Sequence, residues 1–189
     1  MNKFIKKFLI LLFILTNNAN TEEINMDNIL VLTTNTGIIR IELFEDKAPN
    51  HVKRIKQLAN EGQYDGVVFH RVIDGFMAQT GDVEFGNSLS NKYNLSKAGS
   101  GGSTLPDLKA EFSDTAHNRG VLSMARSADP NSANSQFFIV LDSAPHLDRS
   151  YSAFGKVIKG MEFVDMIKKG EDQNGAVTEP DKIISIRSK

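Results

Sequence analysis

Arg71 stands in a run that is otherwise largely apolar: Phe69-His70-Arg71-Val72-Ile73, continued by Phe76-Met77-Ala78-Gln79-Thr80-Gly81-Asp82. An arginine on such a strand must be paired, laid out on its own apolar stem at the surface, or used, because a buried unpaired charge is costly. Gln79 offers a partner, since its amide can hydrogen-bond a guanidinium and hold its plane. Otherwise Gln79 is a polar strand residue facing solvent. A second run, Ser135-Gln136-Phe137-Phe138-Ile139-Val140, has the same character. Together the runs suggest an apolar pocket with a fixed cationic donor at its rim. Such a site can bind and polarise a neutral amide without a nucleophile, a metal or a cofactor.

Other chemistries lack their residues. The four histidines, His51, His70, His117 and His146, show no metal-ligand spacing, and there is no cysteine to join them. No glycine-rich phosphate loop leads into a helix with a lysine, and no serine sits in a nucleophile elbow. Asn94-Leu95-Ser96 is a glycosylation sequon of the kind that arises often by chance. With a net charge of −1 and no basic stripe, nothing points to nucleic acid. No metal and no cofactor is expected.

The elements that must position Arg71 can be read from periodicity. The chain has 189 residues, 40% of them apolar and 24% charged, enough for one domain with a proper core. Ile29 to Leu32 and Gly37 to Leu43 read as strands joined by hairpin chemistry at Thr34-Asn35-Thr36-Gly37. Pro49 opens a helix whose apolar face is Val52, Ile55, Leu58 and Ala59, with Gly62 just past its end. Strands follow near Val67 to Arg71, Met77 to Thr80, Gly120 to Ala125, Gln136 to Val140, Ser152 to Ile158 and Lys182 to Ile186. A second helix is predicted over Met161 to Lys169. Residues 83–107 form a long loop whose Ala98-Gly99-Ser100-Gly101-Gly102-Ser103 stretch has no apolar period and should be flexible. Many short strands with turn signals mean a sandwich or a barrel, and pattern alone does not choose.

The N-terminus is different. Lys3, Lys6 and Lys7 precede an apolar run from Phe8 to Leu15, which reads as a secretory signal over residues 1–20, ahead of one domain over 21–189. The run is short of the roughly 20 residues a spanning helix needs. An uncleaved anchor and a misassigned start are the alternatives, because the cleavage region Asn17-Asn18-Ala19-Asn20 is poor. Export to a periplasm is the expectation, with no stable membrane insertion once the leader is gone.

Five segments carry a family resemblance: Phe69-His70-Arg71, Phe76-Met77-x-Gln79-x-Gly81-Asp82, Leu122-Ser123-Met124-Ala125, Asn134 to Ile139, and Phe154-Gly155-Lys156-Val157. In this order and spacing, spanning roughly Asn28 to Ser188, they resemble the cyclophilins, the cyclosporin-binding peptidyl-prolyl cis–trans isomerases. The resemblance implies a mainly β fold, a closed eight-stranded antiparallel β-barrel with a helix over each open end. It implies isomerisation of X–Pro bonds in peptides and folding proteins by a monomer. It also implies Arg71 and Gln79 as the catalytic pair. Phe76, Met77, Phe138 and Leu147 would form the proline-ring pocket, and Gln136 and the backbone at Ala125 and Arg126 would hold the peptide main chain. His70 would shape the site or hydrogen-bond within it rather than act as an acid or base, and Phe69 would be structural. The chain departs from the best-known members twice. His146 stands where they have tryptophan, and Tyr151 where they have a pocket histidine. The rival classes are a proline-turn receptor that isomerises little and a barrel alike only in architecture.

Overall fold

The computed structural model describes residues 28–189, so the expected leader and its cleavage region lie outside the described residues. The described chain forms β1 (Ile29–Thr34), β2 (Ile38–Leu43), α1 (Pro49–Asn60), β3 (Arg71–Ile73), β4 (Met77–Thr80) and β5 (Val121–Met124). It continues through β6 (Phe137–Val140), a 3-10 turn (Pro145–Leu147), β7 (Ala153–Lys159), α2 (Met161–Asp165) and β8 (Ile183–Ser188). No helix among these is long and apolar enough to cross a membrane.

All eight strands join one antiparallel sheet in the order β3-β4-β6-β5-β7-β2-β1-β8. Register shifts at Arg40/Ile41, Leu122/Ser123 and Thr33/Thr34 bend it, as bulges do. The expected closed barrel is not what forms. The sheet curls into an open half-barrel, and its edge strands β3 and β8 share no ladder. The stretch before β3 meets only the start of β8 and the residues leading into it. Gly66 N–H donates to the Ile183 carbonyl at 2.8 Å and Ile183 N–H to the Val67 carbonyl at 2.8 Å, beside an isolated Val68–Lys182 bridge. The reason lies at the free edge of β3. The outer edge of β3 is already taken by the segment 170–176, where Val72 N–H donates to Gly175 and Gly170 N–H to Val72. An edge covered by a loop needs no strand.

Strand alternation places two apolar groups on opposite faces of the curled sheet. Inside are Leu30, Leu32, Ile39, Ile41, Phe69, Val72, Ala78, Leu122, Met124, Phe137, Ile139 and Phe154. The predicted face of α1 (Val52, Ile55, Leu58 and Ala59) closes over this core. A smaller cluster of Met77, Val121, Phe138, Val140, Ala144, Leu147 and Ala153 lies on the outer face. The inside of the curl is filled by this core, and the outer cluster offers a pocket.

Helix α2 stops four residues short of the predicted end at Lys169. Past it, Lys168 N–H donates to Asp181 Oδ2 at 2.7 Å and Gly170 N–H to the Val72 carbonyl. Amides committed to distant acceptors cannot extend the helical ladder.

Candidate functional site

Arg71 and Gln79 are directly opposite each other in the β3–β4 ladder, and Gln79 is opposite Phe138 in β4–β6. Cross-strand partners share a face, so the three side chains stand in one row on the outer surface. Arg71 is half-buried. Its Nε donates to the Asn174 carbonyl at 2.8 Å, and Nη1 donates to Gln79 Oε1 at 3.3 Å and lies 3.9 Å from Met77 Sδ. Nη2 donates to nothing among the described residues.

The glutamine pair behind Arg71 can be oriented by elimination. Gln136 Nε2 donates to the carbonyls of Gly99 at 3.0 Å and Gly101 at 2.7 Å, which can only accept. Its Oε1 therefore faces Gln79 and takes that amide's Nε2 at 3.0 Å. Gln79 Oε1 is then left for the guanidinium, which can only donate. The relay Gly101–Gln136–Gln79–Arg71 thus fixes the plane and reach of the arginine.

A pocket of about 310 Å³ opens beside that guanidinium. Phe76, Met77, Phe138 and Leu147 line it, together with Arg71, Gln79, Ala125, Arg126 and Tyr151. Tyr151 meets Phe138 edge to face at 5.8 Å, and the Arg126 guanidinium lies over the Tyr151 ring at 4.4 Å. His146 belongs to the same wall, stacked at 37° on Phe76 with ring centres 5.4 Å apart. Gln136 is not in this pocket. It lines an adjoining cavity of about 480 Å³ with Gly99 to Ser103, Ser127 and Asn134. Gln79, Ala125 and Arg126 border both cavities, so the two make one groove.

His70 lies behind the arginine, 7% exposed, with neither ring nitrogen hydrogen-bonded. Burial pushes it down to about 4, although Asp82 and the Val68 carbonyl pull the other way, the latter without good hydrogen-bond geometry. It is neutral at pH 7. Its folded value lies below the unfolded 6.5, so the stability is full above that value and is lost as pH falls from about 6.5 to 4. The loss should amount to about 3 kcal/mol. Urea midpoints measured across this window should fall more steeply for the native chain than for His70→Gln. Parallel curves would show that the imidazole is not held neutral.

The loop at 83–107 is tied down, contrary to the expectation of flexibility. Asp82, 0% exposed, takes the N–H groups of Glu84 and Phe85 on Oδ1 and those of Gly99 and Gly101 on Oδ2, at 2.7 to 3.0 Å. Asn134 Oδ1 accepts from Ser103 N–H at 2.9 Å. Gly81 makes the turn into Asp82 at φ +91°, and a Cβ there would sit 2.6 Å from the Ser135 carbonyl oxygen. Asp82 and Asn134 are the site-building residues that sequence reasoning passed over, though both lie within motifs it had marked.

The family model described as cyclophilin type peptidyl-prolyl cis-trans isomerase/CLD matches residues 29–188. The chain belongs to the cyclophilin-type peptidyl-prolyl isomerases. Among relatives, a probable peptidyl-prolyl cis-trans isomerase of Brucella suis is 55% identical over 159 residues, covering 84% of this chain and 81% of that one. A peptidyl-prolyl cis-trans isomerase of Acinetobacter baylyi is 40% identical over 170 residues, covering 84% of each. Among solved structures, a Cryptosporidium parvum cyclophilin-type isomerase crystallised in the presence of the dipeptide Ala-Pro superposes with a TM-score of 0.73. That pair is 29% identical, with 85% of this chain and 98% of the other covered. The outer-face pocket brings together Arg71, Gln79, Phe76, Met77, Phe138, Leu147, Tyr151, Ala125 and Arg126 of the residues singled out in the sequence. His70 and Gln136 flank it from behind and beside.

Proposed function

We propose that this chain isomerises X–Pro peptide bonds by holding the proline ring in the 310 Å³ pocket while Arg71 stabilises the twisted amide. The observation that carries this is a guanidinium fixed at the pocket rim whose Nη2 has no acceptor among the described residues. The amide barrier is about 18–20 kcal/mol because resonance gives the C–N bond double-bond character. In the twisted state conjugation is lost, and the proline nitrogen becomes pyramidal and accepts a hydrogen bond. A donor placed for that geometry lowers the barrier without forming any bond to the substrate. His70, neutral and buried, has no proton-transfer role to play, and the reaction moves no proton. A coupled isomerisation assay on the mature chain with a proline tetrapeptide tests the activity, and a rate no faster than the uncatalysed one overturns it. Assistance to folding proteins follows, since uncatalysed X–Pro isomerisation takes tens to hundreds of seconds.

Inhibition by cyclosporin should be weak. Where the best-known cyclophilins offer an indole to the drug, His146 offers a smaller ring packed on Phe76. His146→Trp should lower the half-inhibitory concentration about tenfold or more. Tight inhibition of the unmodified protein would overturn this.

Export is part of the proposal. The lysines and apolar run at the N-terminus support removal of a leader near Asn20. N-terminal sequencing of the mature protein should begin at Asn20 or Thr21, and an intact Met1 in a soluble cytoplasmic fraction would sink the idea.

A further inference from the structure

Three groups beneath the pocket stand in the order of a hydrolase triad. Asp148 Oδ1 lies 3.0 Å from His117 Nδ1, and His117 Nε2 lies 3.1 Å from Ser123 Oγ. Hydrolysis is not what they do. Ser123 is 0% exposed and His117 1%, so no ester or amide can reach the hydroxyl.

What the imidazole does reach are the turn and the strand beside the wall of the pocket. The backbone of His117 serves the same segment as its ring. Its N–H donates to Asp148 Oδ1 at 2.8 Å, and its carbonyl accepts from Ala144 N–H at 2.9 Å. Both ends of 144–148 are therefore fastened to one residue, and between them lie His146 and Leu147 of the pocket wall. On its other side the ring holds Ser123, the direct β5–β6 partner of Phe138, which also lines the pocket. The tautomer follows from the partners. The His117 backbone N–H, then its ring, hold the Asp148 carboxyl below its ordinary value, so it is an ionised acceptor. Nδ1 therefore donates to Asp148 Oδ1, and Nε2 pairs with the Ser123 hydroxyl.

We propose that His117 is a positioning residue, clamping the 144–148 turn to strand β5 so that the Leu147 and Phe138 walls keep their separation. This rests on the isomerase reading above. The pocket grips the proline ring equally in the planar and the twisted amide. A loosened wall therefore costs uniform binding, which raises KM and leaves kcat in place. Arg71→Ala should do the reverse, and a merely structural role would not produce the split.

The test uses His117→Ala, Asp148→Ala, the double variant and Asp148→Asn, with kcat and KM from a proline tetrapeptide. Asp148→Ala keeps the test alive if His117→Ala fails to fold, because the Asp148 side chain is 33% exposed. Each alanine variant should raise KM about 5- to 20-fold with kcat within about twofold, and the double variant should be little worse than the worse single. Asp148→Asn should recover most of the loss, because its Oδ1 still accepts both His117 N–H groups. Hydrogen exchange at the Ala144 and Leu147 amides should quicken in the alanine variants while β6 stays protected. An unchanged KM in folded Asp148→Ala, or an equal fall in kcat, overturns the clamp. A wild-type protein without isomerase activity overturns the isomerase reading instead, and the exchange rates, which need no substrate, then decide the clamp alone.

Discussion

Arg71→Ala should lower kcat/KM for a proline tetrapeptide about a hundredfold, the worth of one lost transition-state donor at roughly 3 kcal/mol. The loss should fall on kcat, because the proline pocket itself is left standing. Stability should change little: the variant gives up the bond to the Asn174 carbonyl at a half-exposed site, a loss of about 1 kcal/mol. Arg71→Lys keeps the charge but cannot place one nitrogen on Asn174, another on Gln79 and a third on substrate, so rescue should be partial. Gln79→Ala should give a smaller loss in the same direction, since it frees the guanidinium to swing. The double variant should be less than additive, because Gln79 acts only through Arg71. The measurement is a coupled isomerisation assay on the four proteins, with circular dichroism to establish folding. Near-normal kcat in folded Arg71→Ala would refute the mechanism and favour a proline-turn receptor.

How much of this was legible in the sequence depended on the range of the interaction. Strand and helix periodicity carried seven of the strands, α1 and its buried face, because each of these is a local pattern, whereas the strand expected over Val67 to Arg71 meets β3 only at Arg71. The in-order motifs singled out residues that the fold gathers round one pocket on its outer face. They placed His146 and Tyr151 on its wall even though both depart from the best-known family members. What failed was set by distant partners. The early end of α2 depends on Asp181 and Val72, which no window around Lys168 contains. The open edge between β3 and β8 depends on 170–176 folding back over Val72. The loop at 83–107 has the composition of a mobile segment, yet a single buried carboxylate upstream of it collects its amides. Composition reports what a segment can do alone and is silent about an acceptor that comes from elsewhere.

That acceptor is the place where fold and site depend on the same group, and its removal should show in both. Asp82 has no exposed surface, and each carboxylate oxygen serves a pair of backbone N–H groups: Glu84 and Phe85 on one, Gly99 and Gly101 on the other. Asp82→Ala leaves four donors without acceptors and should destabilise the protein by about 3–5 kcal/mol, lowering the thermal midpoint by roughly 10 °C. Asp82→Asn should be nearly as damaging. Its oxygen can satisfy one pair, but its NH2 is then aimed at the other pair, donor against donor. Activity should fall about tenfold even in molecules that stay folded, because the Gly99 and Gly101 carbonyls that orient Gln136 are released, and with them the relay through Gln79 to Arg71. If the loop can detach without unfolding the sheet, the midpoint will move less, but the Gly99 and Gly101 amides must lose their exchange protection in either case. Protected amides at both glycines in Asp82→Ala would show that the loop is held by something other than this carboxylate.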